Sequence, residues 1–162
     1  KVGQYKEAVK KLHAHGIGVQ ACFVFGLDTD DRDVFKRTVD FVYDCEIDLP
    51  QFSVLTPFPG TQVFAELESQ GRIIERNWSL YDAEHVVFRP KNMSPEYLQR
   101  GLIYAWQHAY SLRSIFKRLS GSRCLPAVAI PANLGYNFYA RNLSRFTHEI
   151  MAHEEDIFPA GR

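Results

Sequence analysis

Residues 16–31 read GIGVQACFVFGLDTDD, an apolar run that halts at a glycine followed by crowded polar residues. Val19, Ala21, Phe23 and Phe25 alternate with Gln20, Cys22 and Val24, so both faces of the segment are largely apolar. That pattern belongs to a parallel strand covered by helices on both sides, and it predicts a strand over 17–25. Gly26 then permits a turn or a close approach to the backbone. Ligands of α/β folds bind beyond the carboxyl ends of parallel strands, so the residues after Phe25 are the first place to look for a site.

On the N-terminal side, Tyr5, Ala8, Val9 and Leu12 recur at helical spacing and predict a helix over 4–15, ended by Gly16. On the C-terminal side, Asp30 is the expected N-cap of a helix whose apolar stripe is Val34, Phe35, Thr38, Phe41, Val42 and Cys45. A second, short strand is predicted over 51–56. It runs into Pro57-Phe58-Pro59-Gly60-Thr61, a rigid turn from which Thr61 caps a helix ending at Gly71. Strand, helix, strand and helix with tight connections imply parallel pairing and right-handed crossovers. Two parallel strands do not make a stable sheet alone, so the chain reads as a fragment completed by an upstream half, a partner chain or a rearranged fold.

The pattern changes at Arg72. Residues 72–90 read as an irregular, aromatic-rich connection with Trp78, Tyr81 and a strand-like His85-Val86-Val87-Phe88. Ser94-Pro95 is a strong helix start, and the stripe Leu98, Leu102, Ala105, Trp106, Ala109, Leu112, Phe116 and Leu119 predicts one continuous helix to about residue 120. A further helix is expected over 132–153, weakened by Gly135.

A chain of 162 residues, 46% hydrophobic, suits one domain or one with a small annexe. It has neither a charged-then-apolar leader nor a run of eighteen apolar residues, which points to a cytoplasmic protein. Cys22, Cys45 and Cys124 are odd in number and widely spaced, and they read as reduced thiols. The zero net charge hides an asymmetry: 97–148 holds seven Lys and Arg and no acidic residue, while the rest holds twelve basic and nineteen acidic residues. Such a split suggests two regions with different partners, or one docked on the other.

Other motifs carry less. Asp28, Asp30 and Asp31 suggest a calcium loop, but Asp33 and Val39 stand where that loop needs glycine and glutamate. His148 and His153 are five residues apart and diverge around a helix, so they do not share a metal as an i, i+4 pair does. His13 and His15 read as solvent-facing caps. Seventeen uncharged residues, 124–140, are read as buried against the rest of the fold, with contact to a membrane surface or an apolar substrate as the alternative. No nucleic-acid-binding module is visible, and nucleic acid is not an expected partner.

Phe23-Val-Phe25-Gly26-Leu27-Asp28-Thr29-Asp30-Asp31-Arg32-Asp33-Val-Phe35 is similar to the fifth strand and following loop of radical SAM enzymes. Leu55-Thr56-Pro57-Phe58-Pro59-Gly60-Thr61 resembles the sixth strand of the same barrel, and Leu12-His13-Ala14-His15-Gly16-Ile17 the helix before the fifth. Trp78, Tyr81-Asp82, His85 to Phe88, Pro90 and Met93-Ser94 resemble the C-terminal domain of unknown function of cobalamin-binding radical SAM proteins, a likeness that continues from Ala109 to Arg118. The CxxxCxxC cluster motif and a cobalamin-binding domain are absent from these residues, and Asp28-Thr29 replaces the commoner Pro-Gly.

The resemblance implies an α/β fold: the last two β/α units of a partial (β/α)6 TIM-like barrel at 1–71, then a mostly helical domain at 72–162. It implies that Phe25, Gly26 and Asp28 border the adenosine part of S-adenosylmethionine (SAM), with Thr56 and Pro57 at the same barrel mouth. An intact enzyme of this kind cleaves SAM reductively at a 4Fe-4S cluster to a 5′-deoxyadenosyl radical, or transfers a methyl group through cobalamin, here on an unknown, apolar substrate. This chain supplies no catalytic and no metal-ligating residue of its own in that reading and is expected to be inactive alone, with the upstream barrel half as its partner. The rival expectation is a non-catalytic module whose basic helical tail docks an anionic or membrane surface.

Overall fold

The computed structural model describes residues 2–120 and 126–147. Its elements run α1 (Val2–Ala14), β1 (Gln20–Phe25), α2 (Val34–Asp44), β2 (Leu49–Val54), α3 (Gln62–Ser69), a short 3-10 turn (Trp78–Leu80), α4 (Pro95–Ala109), α5 (Leu112–Leu119) and α6 (Pro126–Phe146). Among the described residues six α-helices and two strands make an α/β fold, as expected. The strands pair in parallel, from Gln20 opposite Leu49 to Phe25 opposite Val54.

One core joins the β/α units to the later helices. Phe23 and Phe25 both stack on Phe52, Phe25 meets Phe35 of α2, and Trp106 of α4 stands edge-on to Phe52. Aromatic burial of this kind is the largest apolar contribution per residue available to a small core. Helix α4 crosses α2 so closely that Gly101 is obligatory: a Cβ there would lie 2.2 Å from the Phe35 ring. The same hydrophobic cluster holds residues from both sides of position 72, from Val9 to Leu143.

The two edges of the sheet differ. Alternate residues of a parallel strand present N–H and C=O to opposite sides. At the outer edge of β2, Pro50 has no N–H to leave unpaired, and its carbonyl accepts from the Tyr110 hydroxyl at 2.7 Å. The Phe52 carbonyl accepts from Trp106 Nε1 at 3.1 Å, and Val54 N–H donates to the Ala83 carbonyl at 2.9 Å. That edge is closed by side chains and a loop. The outer edge of β1 carries the backbone groups of Gln20, Cys22 and Val24, and no third strand pairs there among the described residues.

Several expectations change. The strand predicted over 17–25 is covered on one face only: Gln20, Cys22 and Val24 are exposed, because apolar alternation does not say what lies above a face. Asp30 does not cap α2. Its Oδ2 accepts instead from the N–H groups of Gly26 and Leu27, at 2.9 and 3.0 Å, and Asp33 takes the N-cap position without a side-chain bond. Thr61 and Ser94 cap α3 and α4 as predicted, accepting from the N–H of Phe64 and Tyr97, both at 3.2 Å.

His13 is not solvent-facing. It is buried, with Nε2 2.8 Å from Asp48 Oδ2, which also accepts from Val19 N–H at 2.8 Å, so α1 is tied to the start of both strands. The single helix predicted over 95–120 breaks at Tyr110, where Ser111 caps α5 and turns it back across the core. Arg118 anchors the turned-back helix. Its five N–H groups reach the carbonyls of Ile47, Asp48 and Ala109, the Ser114 hydroxyl and the Asn133 side-chain oxygen, all fully buried.

Helix α6 begins earlier than predicted. Pro126 sits in its first turn, where a missing N–H costs nothing, and Pro131 falls on the exposed side, leaving the Ala127 carbonyl to water. Only one face of the uncharged stretch is buried, through Ala129, Asn133 and Ala140, while Leu134 and Phe138 are exposed. Cys124, His148 and His153 lie outside the described residues. Cys22 is a free, exposed thiol and Cys45 a free, buried one. Among the described residues no helix is long and apolar enough to cross a membrane.

Candidate functional site

The parallel register brings the ends of the two strands side by side. Leu55 N–H donates to the Phe25 carbonyl at 2.8 Å, so Gly26 to Asp28 and Thr56 to Pro57 leave the sheet at the same end. Gly26 adopts φ +95°, and a Cβ there would lie 2.9 Å from Leu98 Cδ2 and 3.1 Å from the Phe88 ring, so no other residue fits. Conformation and close packing both require the glycine. Its N–H is held by Asp30, which closes the 26–30 loop on itself.

Asp28 faces out of that loop but is already engaged. Arg72 grips its carboxylate in a two-pronged pair, Nη2 to Oδ1 at 2.7 Å and Nη1 to Oδ2 at 3.1 Å, and Arg72 Nε also donates to the Arg89 carbonyl at 2.7 Å. The hydrogen bond from Arg72 holds the Asp28 carboxyl below its ordinary pKa. Asn92 donates to the carbonyls of Asp28 and Asp30, at 2.9 and 3.0 Å. Arg72 and Asn92 thus fix the loop shape, a role the sequence pattern around Gly26 did not disclose.

The other positions read from the sequence divide in two. Thr56 is half-buried, with its hydroxyl 3.3 Å from the Val54 carbonyl, and Pro57 is buried. Asp28 and Thr56 reach the strand-end surface, with Val24 and Leu27, each 46% exposed, near them, whereas Gly26 and Pro57 are buried at the same end of the sheet. Phe25 differs: its ring is 1% exposed and turned into the aromatic core, so only its backbone borders that surface.

A cavity of about 350 Å³ opens on the uncovered face of the sheet. Cys22, Gln51 and Ser53 form its floor, and Glu84, Tyr136 and Tyr139 its rim. Gln51 Nε2 donates to the Tyr136 hydroxyl at 2.7 Å, and the Tyr139 hydroxyl donates to Glu84. Burial, and then the hydrogen bond to the negative Glu84, push the Tyr139 pKa far up. Tyr139 is thereby a fixed O–H donor and Glu84 a fixed acceptor on the cavity rim.

The rim is rigidly built. Asp82 Oδ1 accepts from the N–H groups of Glu84 and His85 at 2.9 and 3.0 Å, and its Oδ2 lies 2.8 Å from His85 Nδ1. Burial raises the Asp82 pKa, but these bonds outweigh it and hold it below the ordinary value. Ala83 between them is in the left-handed region at φ 68°, a conformation that is costly for a residue with a Cβ and that its bonded neighbours impose. Buried Gln99 braces the other side, donating to the Glu84 carbonyl at 2.8 Å and accepting from Val86 N–H at 3.0 Å. Tyr136 and Tyr139 stand three residues apart on one face of α6, a spacing readable in the sequence. Their partners Gln51 and Glu84 come from distant segments and are not.

Among the described residues no group of three His, Cys, Asp or Glu side chains converges as a metal site. No family model matches the chain. It is 38% identical over 117 residues, 72% of its length, to the bacteriochlorophyllide d C-12(1)-methyltransferase of Chlorobaculum tepidum, covering 25% of that protein. The anaerobic magnesium-protoporphyrin IX monomethyl ester cyclase of Cereibacter sphaeroides is 29% identical over 147 residues, 85% of this chain and 24% of its own length. The hopanoid C-2 methylase of Rhodopseudomonas palustris is 28% identical over 118 residues, 66% of this chain and 22% of its own. The chain spans about a quarter of the length of these relatives.

Proposed function

This chain belongs to the radical SAM superfamily, and we propose that it is the last two β/α units and the helical C-terminal part of a larger radical SAM enzyme. The observation that carries the reading is the asymmetric sheet. Its β2 edge is closed by Tyr110, Trp106 and Ala83, whereas its β1 edge is open, which suits a terminal strand of a barrel whose other strands join at β1. The uncovered face with Cys22, Gln51 and Ser53 then becomes barrel interior.

The strand-end surface fits the adenosine half of SAM. Val24 and Leu27 offer apolar area, and the Gly26–Asp30 loop offers a fixed backbone that a Cβ at Gly26 would disrupt. In this reading Gly26, Asp28, Thr56 and Pro57 wall that half, with Asp28 acting through its grip on Arg72. The described residues do not fit a 4Fe-4S cluster. Bound SAM supplies radical or methyl-transfer chemistry when it is cleaved. Cobalamin is proposed as a methyl carrier of the intact protein on resemblance alone.

The substrate proposed is a large apolar ring compound of the kind named in the bacteriochlorophyllide and protoporphyrin relatives. It would lie over the cavity, with the Tyr139 hydroxyl and the Gln51 amide orienting its polar substituents. This chain by itself is proposed to be inactive. The test is anaerobic assay of the intact polypeptide for release of 5′-deoxyadenosine from SAM, beside this chain alone. Release by the intact protein only is expected. A folded, cluster-loaded intact protein that consumes no SAM would sink the proposal.

A further inference from the structure

The exposed sides of α5 and α6 carry a pattern that the barrel reading leaves unused. On α6, Ile130, Leu134, Phe138, Arg141 and Arg145 fall within about 80° of helical arc, apolar toward the start and basic toward the end. Phe138 is 72% exposed, and Ile130 and Leu134 about half. On α5, Leu112 and Phe116 are one helical turn apart and 58% and 77% exposed, flanked by exposed Arg113 and Lys117. The two faces adjoin, because Leu112 lines a groove with Asn137, Ala140 and Arg141.

The opposite sides of both helices are committed to the core through Ser114, Ile115, Arg118, Asn133, Ala140 and Leu143. The charge is one-sided. No Asp or Glu occurs between Tyr97 and Thr147, and Arg113, Arg141 and Arg145 have no ion-pair partner among the described residues. Large exposed apolar side chains interleaved with unpaired cations on one surface match an acyl–headgroup boundary bearing negative charge. A basic groove for nucleic acid would instead place its aromatic side chains as stacking platforms between the cations, and here Leu and Ile share the stripe.

We infer that this α5–α6 face seats the protein peripherally on an anionic phospholipid bilayer, with Phe116 and Phe138 inserted at the interface and Arg113, Arg141 and Arg145 on the headgroups. The inference does not need SAM chemistry, so it and the radical SAM reading can fail separately. It does give that reading a consequence, since an apolar substrate can then be drawn from the membrane itself.

The test is flotation of the intact polypeptide with phosphatidylcholine vesicles that contain or lack phosphatidylglycerol. Strong, salt-sensitive flotation on the anionic vesicles only is expected. Phe116→Ser with Phe138→Ser should abolish it. Arg113→Gln, Arg141→Gln and Arg145→Gln together should weaken it on the order of 100-fold, at roughly fivefold per basic residue, while the matching triple Lys variant retains it. Circular dichroism confirms that each variant is folded. Absence of flotation on anionic vesicles, or flotation equal in wild type and the Ser variant, overturns the inference. So does loss of a dimer in the Ser variant without vesicles, because the face is then an interface between copies.

Discussion

Arg118 on α5 donates from Nη2 to Asn133 Oδ1 on α6 at 2.8 Å, with both side chains fully buried. Around this pair close the carbonyls of Ile47 and Asp48 before β2 and of Ala109 at the end of α4. Burial pulls the guanidinium pKa down, but every N–H has an acceptor, so the charge stays in place. Arg118→Met should therefore cost about 3–5 kcal/mol, from several carbonyls left buried without donors. Urea melts monitored by Trp fluorescence check it, and a loss under 1 kcal/mol would show that the hub is dispensable.

Two glycines in helices should respond in opposite directions. Gly101→Ala drives a methyl group into the Phe35 ring and should destabilise by about 1–3 kcal/mol. Gly135 on exposed α6 has nothing within 4 Å, so Gly135→Ala should stabilise by about 0.5–1 kcal/mol. Thermal melts of the two variants under one set of conditions decide this.

The Arg72 grip on Asp28 makes the strand-end loop acid-sensitive. Because the folded-state pKa of Asp28 is lowered, its contribution is present above the unfolded value of about 3.9 and is lost as pH falls through the lower folded value. Asp28 is half-exposed, so the effect is modest. Melting temperatures of wild type and Asp28→Asn should differ at neutral pH and converge in strong acid. A constant gap across that range would contradict the assignment.

Barrel closure can be read from one thiol. In this chain Cys22 is exposed on the open face and Cys45 buried, so a maleimide should label the Cys22 peptide and spare Cys45. If further strands join at β1 as proposed, Cys22 in the intact polypeptide should be protected on the order of tenfold, as measured by peptide mapping over time. Equal labelling in both would contradict an enclosing barrel.

If the cavity orients substrate, Tyr139→Phe should lower turnover of the intact enzyme roughly 10- to 100-fold while leaving the melting temperature within about 2 °C. Glu84→Gln should behave similarly, because it removes the charge that fixes the Tyr139 hydroxyl. Unchanged turnover in both would assign the pair to architecture alone.

Much of the local fold was legible. Thr61, Ser94, Gly16 and Gly71 end or start helices where the sequence places them, because capping and left-handed turns depend on a few adjacent residues. The α4–α5 break was not legible. The apolar stripe continues through Ala109, Leu112 and Phe116 at unbroken spacing, and what anchors the turned-back helix is Arg118 reaching carbonyls some seventy residues earlier in the chain. His13 likewise reads as a surface cap until Asp48 is brought against it.

The strand-end site shows the same division. The GLDTDD segment announced a turn at Gly26, but Asp30 as the clamp on that turn, Arg72 as the partner of Asp28 and Asn92 as the brace come from tertiary contacts. By itself the sequence determined two parallel β/α units and the Thr61 cap of the second helix, because period and turn chemistry are local properties. Only the tertiary structure decided which strand edge is closed, which face of the sheet is open and which polar groups line it. Those outcomes depend on side chains such as Trp106, Tyr110 and Tyr139 meeting backbone and carboxylate partners about fifty to sixty residues away, and no local pattern encodes such a meeting.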